Sequence, residues 1–377
     1  MLKDLLGVNI PLPIQTYGFF LAIAFIVSAY LVSKELQRKE ADGLMQAAKQ
    51  KFLKGEPATV TSIIINGVVG FFIGYKLLMG ILDYQGCSSN PQAFLLSSKG
   101  NFIGGILGSG ISIFLHYREK KKHQLPKPEW VEEIVHPHQH IANIVSIAAI
   151  TGILGSKIFH MLENIPDFMA DPWGSIFSFS GMSFLGGLIM AGGALIYYAK
   201  KNNIPLLAFC DAAAPALMLA YGIGRIGCQV SGDGDWGLPN DAPKPSWMSF
   251  LPDWMWAYDY PHNVIHTNLK EEFLSMNLQS ITGKAWPTPF YETVMCFILF
   301  LFLWGIRKKF ATPGKLFCVY LIACGLERIF IEQIRINNKY HFFGINPTQS
   351  EIISTVLIIV GIGGIFYLNK NKNKEVI

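Results

Sequence analysis

The chain has 377 residues, 51% of them hydrophobic and only 15% charged, with a net charge of +5. Soluble domains carry about 25% charged residues, so this composition excludes a soluble globular enzyme and points to a polytopic membrane protein. The basic residues sit in short loops rather than on one face, which excludes a nucleic-acid surface and leaves the lipid bilayer as the partner.

Apolar runs near the length that crosses about 30 Å of hydrocarbon predict nine spans. They lie at roughly 17–33, 60–82, 101–117, 141–162, 181–199, 206–223, 289–305, 315–334 and 350–368. Positive clusters fall in alternate loops: Lys34 to Lys54, Arg118 to Pro128, Lys200-Lys201, Arg307 to Lys309 and the tail after Lys370. The loops 83–100, 163–180 and 335–349 are poor in Lys and Arg, so the N-terminus is expected outside and the C-terminus in the cytoplasm. The first apolar stretch is followed, not preceded, by positive charge, and no cleavable signal peptide is expected. The fold class is therefore an all-α polytopic membrane protein, with residues 1–377 forming one integral-membrane domain.

Two regions depart from simple spans. Gly74-Tyr-Lys76, Asn90-Pro91 and Gly104-Gly105 are echoed 81 to 82 residues later by Gly155-Ser-Lys157, Asp171-Pro172 and Gly186-Gly187. Each copy, 60–122 and 141–202, holds two spans, so the repeat is parallel. The segment 224–288 contains Trp236, Trp247, Trp254, Trp256, Tyr258, Tyr260 and Trp286, a density of aromatics suited to headgroup level. It is expected to be a small extracytoplasmic cap lying on the bilayer.

Polar residues at the external level of several spans mark a candidate site. An apolar helix runs into Arg225, Asp233 and Asp235 with six glycines between Gly222 and Gly237, which would turn backbone N–H groups toward an anion. A snorkelling arginine is the ordinary alternative, but guanidinium suits bidentate phosphate recognition. Glu327, Arg328, Glu332 and Arg335 occupy one half of an apolar helix, where each charge costs about 2.5–3.5 kcal/mol at mid-bilayer unless it faces partners. They form either a structural ion network or the wall of a polar cavity. Tyr291, Glu292 and Tyr17 stand at the same depth, and Asp211 is a weaker candidate for the same cavity. Lys157 and His160 share a helical face. His136, His138 and His140 alternate as a metal triplet would, yet an ordinary loop is the better reading, and no metal or cofactor is expected. The six cysteines show no paired spacing.

Tyr17-Gly18, Gly181 to Gly187, Gly224 to Gly237, Pro287-Thr-Pro-Phe-Tyr-Glu292 and Gly325 to Arg335 occur in an order that resembles the bacterial prolipoprotein diacylglyceryl transferase family. The resemblance implies transfer of the diacylglyceryl group of phosphatidylglycerol to the lipobox cysteine thiol of a preprolipoprotein, with release of glycerol phosphate, at the bacterial inner (cytoplasmic) membrane. Carried over by motif, Arg225 holds the lipid phosphate, Arg328 with Glu332 forms a second charged wall, and Asp233 or Asp235 takes the acidic position. Tyr17 joins these as catalytic, while Gly227, Cys228, Gly237, Gly186, Gly187, Tyr291 and Glu292 bind substrate. Leu185 and Cys228 stand where the family has His and Asn, which leaves the base open among His160, Asp235, Glu332, His262 and His266. The family usually has seven spans, and the first repeat copy supplies two more. The alternative from another class is a secondary transporter of an anionic solute, which the repeat and the intramembrane charges would also suit.

Overall fold

The computed structural model describes residues 16–89, 94, 97–177, 181–337, 339–341 and 346–372. They divide into two compact units. One is Met1–Gln46, Pro137–Val145 and Ala199–Ile377; the other is Ala47–His136 and Ser146–Tyr198.

Among the described residues, nine helices of 18 or more residues coincide with the predicted spans. In chain order, with the shorter elements, they are α1 (Thr16–Ala41), β1 (Ala48–Lys54), α2 (Val60–Leu82), α3 (Tyr84–Ser89), α4 (Phe102–Lys122), β2 (Glu129–Val135), α5 (Ile141–Glu163), α6 (Ile165–Ala170), α7 (Pro172–Phe177), α8 (Phe184–Lys201), α9 (Leu206–Ser231), α10 (Leu269–Ser275), α11 (Thr288–Ile306), α12 (Lys315–Glu332) and α13 (Gln349–Lys372). Six of the long helices are apolar enough to cross a membrane by length and composition. The protein is thus a predominantly helical, multi-pass membrane protein. Among the other three, α12 carries Lys315, Glu327, Arg328 and Glu332, a charge load that needs burial against other helices.

In the first unit, α9 packs against α1, α11 and α12, and α12 packs against α13. Helix α9 is buried along most of its length, as an apolar helix is when neighbours enclose it. The chain enters α9 through Pro205 and leaves it at Gly232, whose φ of 64° permits the left-handed cap and whose N–H bonds the Cys228 carbonyl at 2.9 Å. Hydropathy predicts a helix end at 223; the helix continues to Ser231, so Arg225 and Cys228 lie on its last turns. The glycine-rich stretch is therefore not a continuous nest of backbone N–H groups. Gly222, Gly224 and Gly227 are helical, and only Gly232 and Gly234 have positive φ.

The second unit contains two helical pairs built alike. A Cβ at Gly74 on α2 would collide with the Gly104 carbonyl of α4, and one at Gly155 on α5 with the Gly186 carbonyl of α8. Such contacts let helix backbones approach closely. The Asn101 N–H donates to the Tyr75 carbonyl at 2.9 Å, and the Ser183 N–H to the Ser156 carbonyl at 3.0 Å. The two acceptors are 81 and the two donors 82 residues apart in sequence. Asp171-Pro172 leads into α7, whereas Asn90-Pro91 lies outside the described residues.

One two-stranded element accompanies the helices. β1 and β2 form an antiparallel pair in register from Ala48↔Val135 to Lys54↔Glu129. Lysines of β1 face glutamates of β2: Lys51 lies 3.4 Å from Glu132, and Lys54 pairs with Glu133. Opposite charges across the strands favour this pairing. Both strands read as charged loops in the sequence because their charges obscure any apolar alternation.

Candidate active site

Short bridges around the end of α9 bring distant segments together. The Gly237 N–H donates to the Trp286 carbonyl at 2.9 Å, and the Leu238 N–H to the Ile334 carbonyl at 2.8 Å. Thr288 Oγ1 donates to the Asp235 carbonyl at 2.6 Å. Residues 235–238 are thereby clamped between the start of α11 and the end of α12. Gly237 is needed for this closeness: a Cβ there would strike the Ile334 carbonyl and come within 2.8 Å of Thr288 Cγ2. Behind the clamp, Trp236, Tyr258, Tyr260, Leu269, Phe273 and Ala285 form an aromatic core. This cluster draws together aromatic residues of the 224–288 segment.

Glu292, wholly buried on α11, is the hub of an ion cluster. Its carboxylate forms an ion pair with Arg225 Nε at 3.1 Å and accepts from Arg328 Nη1 at 2.8 Å and Arg335 Nη1 at 3.4 Å. The Tyr221 hydroxyl adds a fourth donor at 2.9 Å. Asp235 bridges the outer side, one oxygen on Arg225 and the other on Arg335. Arg328 also reaches Glu332 at 3.2 Å and Ser350 Oγ at 3.1 Å, and Glu332 accepts from Asn337 Nδ2 at 2.6 Å. Three guanidiniums thus meet three carboxylates, which satisfies charges that would be prohibitive singly in apolar surroundings. The arginines are not sealed. Arg225 and Arg328 side chains keep 17% and 19% of their exposure, enough to offer N–H groups to an entering anion.

The two aspartates of the loop differ. Burial pushes Asp235 up, but Arg225 and Arg335 outweigh it and leave the carboxyl below its ordinary value. Asp233 is raised, first by burial and then by the charge of Asp235. It makes no ion pair among the described residues, and its Oδ1 is buried without a hydrogen bond. Cys228 Sγ lies 3.8 Å from Arg225 Nη1, and ligand atoms of Cys228, Asp233 and Asp235 lie within 4.8 Å of one another. Two of these three groups already have other partners or a guanidinium neighbour, so the trio is not read as a metal centre.

Of the residues expected at the site, Arg225, Asp233, Asp235, Arg328, Glu332, Glu292 and Cys228 converge. Tyr17, 44% exposed, packs beside Gly227, where a Cβ would lie 3.2 Å from its ring and 3.3 Å from Phe20. Gly227 therefore serves the packing of α9 on α1. The Tyr291 hydroxyl donates to the Met255 carbonyl at 2.9 Å and so ties α11 to the 224–288 segment. Gly186 and Gly187 meet Gly155, Phe159 and Ser156 on α5. Asp211 is elsewhere: it accepts from the Gly314 and Phe317 N–H groups, each at 2.8 Å, and from Lys39 at 3.4 Å, at the opposite end of α9 from Arg225. Sequence reading misses Tyr221, which lies under Arg225 with its ring centroid 5.2 Å from the guanidinium carbon. Its i, i+4 spacing to Arg225 is the available signal. Arg335 stands out in the sequence as a charge, but not as the second clasp on Asp235.

This architecture defines a class: a multi-pass helical membrane protein with a buried guanidinium–carboxylate cluster at one end of its central helix. Within that class, residues 124–367 match the prolipoprotein diacylglyceryl transferase family, and the chain belongs to it. Relatives called phosphatidylglycerol–prolipoprotein diacylglyceryl transferase include one from Clostridium tetani, 29% identical over 59% of this chain and 78% of its own length. Another, from Oceanobacillus iheyensis, is 27% identical over 62% of this chain and 75% of its own. A third, from Corynebacterium efficiens, is 26% identical over 62% and 68%. The family match begins after α4, so the α2–α4 pair lies ahead of it.

Proposed function

We propose that this protein transfers the diacylglyceryl group of phosphatidylglycerol to the lipobox cysteine thiol of a preprolipoprotein and releases glycerol phosphate. The observation that carries the reading is the set of three arginines from α9, α12 and the segment after α12 gathered on Glu292 and Asp235. In the reaction the thiol sulfur bonds to the glyceryl carbon while the carbon–oxygen bond to phosphate breaks. The leaving phosphate gains negative charge, and guanidiniums already held in place stabilise it with little reorganisation. Arg225 and Arg328 hold the phosphate, Glu292 and Glu332 orient them, and Tyr17 lines the entrance. Asp235 keeps Arg225 and Arg335 in register until the lipid arrives. Cys228, Gly227, Gly237 and Tyr291 shape and brace the substrate-binding region, while Gly186 and Gly187 serve the close packing of α8 on α5. The named relatives are transferases and do not favour the transporter alternative.

The same reading takes the chain as one integral-membrane domain with nine spans, its N-terminus outside, its C-terminus cytoplasmic and the 224–288 cap on the outer face of the bacterial cytoplasmic membrane. The helical pairs 60–122 and 141–202 are copies of one unit. The reaction is tested with purified protein in phosphatidylglycerol vesicles. Glycerol phosphate release is expected only when a lipobox peptide is added, and Arg225→Ala and Arg328→Ala should each lower it at least about 100-fold, the order seen when one transition-state donor is removed. Release that persists in both variants refutes the assignment.

A further inference from the structure

Resting on that reading, we infer that Asp233 is the catalytic base that takes the proton from the incoming thiol. The cluster sorts its own carboxyls. Glu292 is held by three guanidiniums, Asp235 by two, and Glu332 by Arg328 and Asn337. Proton uptake by any of these would break an ion pair that holds a phosphate-binding arginine. Glu327 also makes no ion pair among the described residues and has Glu292, Arg328, Arg225 and Arg335 among its electrostatic neighbours, but it is only 2% exposed, so an incoming thiol has less access to it. Asp233 combines a half-buried side chain, one oxygen (Oδ1) with no hydrogen bond and a place next to Arg225, its carboxylate otherwise bonded by the Cys228 thiol and the Asp235 backbone.

The local geometry suits a thiol. Cys228 already places a sulfur atom against Arg225 and within 4.8 Å of carboxylate oxygens of Asp233 and Asp235. A thiol is therefore chemically compatible with this guanidinium and with a carboxylate outside the ion pairs, and Cys228 shows the contact an incoming thiol would make nearby. A thiolate is the nucleophile, and a free thiol has a pKa of about 8.5, so a base poised nearer neutrality than an ordinary aspartate is useful. The groups facing Asp233 are Tyr17 from α1, Arg225 and Cys228 from α9, Asp235 from its own loop and Tyr260 from the cap. Burial and Asp235 raise its value and Arg225 lowers it, with a net rise. In the step, the S–H proton passes to Asp233, the sulfur lone pair forms the S–C bond, and the C–O electron pair leaves with the phosphate. Asp233 then gives its proton to the released phosphate monoester or to water.

The sign follows directly. Asp233 must be ionised to act, and its value lies above that of an ordinary aspartate, so kcat/KM should rise with pH along a limb displaced upward from that range. Asp233→Asn is expected to lower kcat about 100-fold or more, a usual share for one general base, to leave KM for phosphatidylglycerol within about twofold, and to abolish the limb. Asp233→Glu, which keeps the carboxylate, should retain at least about a tenth of kcat with the limb moved. Asparagine activity within about threefold of wild type, or an unchanged limb in either variant, overturns the inference. Wild-type protein with no peptide-dependent release of glycerol phosphate would instead sink the transferase reading itself.

Discussion

Glu292 and Glu327 are both buried carboxyls, one on α11 and one on α12, and their surroundings predict opposite responses to the same isosteric change. Glu292 compensates three guanidiniums, and removing one partner from a buried ion network costs about 3–5 kcal/mol. Glu292→Gln should therefore destabilise the protein strongly in thermal unfolding. Glu327 makes no ion pair among the described residues, and its Oε1 lacks a hydrogen bond. Glu327→Gln removes an ionisable group that no ion pair compensates, so the unfolding temperature should stay the same or rise. Equal losses for the two would show that the cluster is assigned wrongly. Asp235 adds a pH dependence: its value is depressed, so its clasp on Arg225 and Arg335 is fully present above the ordinary aspartate range and is lost as pH falls through the lowered value.

Helix ends and helix pairs carry the next set of predictions. Asp211 of α9 accepts the two N–H groups at the start of α12 while it pairs with Lys39 of α1. One carboxylate thus caps one helix and joins two others. Asp211→Ala leaves Lys39 buried without this carboxylate, and a loss of about 3 kcal/mol is expected in unfolding by denaturant. A loss below about 0.5 kcal/mol, the scale of an ordinary surface change, would remove Asp211 from this role. On α5, Gly155 touches the α8 backbone, whereas a methyl group added at Gly192 on α8 would meet nothing within 4 Å. Gly155→Ala should destabilise the pair, and Gly192→Ala should be neutral or stabilising by up to about 1 kcal/mol. The glycine spacing is legible in the sequence, yet the reason for these glycines lies in contacts between residues some 30 positions apart.

At the scale of the whole molecule, the alternation of basic loops predicts sidedness. A fluorescent protein fused after Ile377 should mature in the cytoplasm, and alkaline phosphatase inserted after Ser280 in the cap should be active outside. The reverse pattern would overturn the orientation and move the candidate site to the cytoplasmic face.

Sequence alone determined the membrane class, the positions of the nine long helices and most of the charged residues at the site. These follow from hydropathy, span length and the high energy of placing charge in hydrocarbon, all of which are local along the chain. Only the tertiary structure decided which charges pair. Arg225 meets Glu292 across 67 residues, and Asp235 meets Arg335 across 100, through backbone bridges that no periodicity encodes. The same folding sent Asp211 to a helix cap and Gly237 to a close packing contact, and it left Asp233 outside the ion pairs.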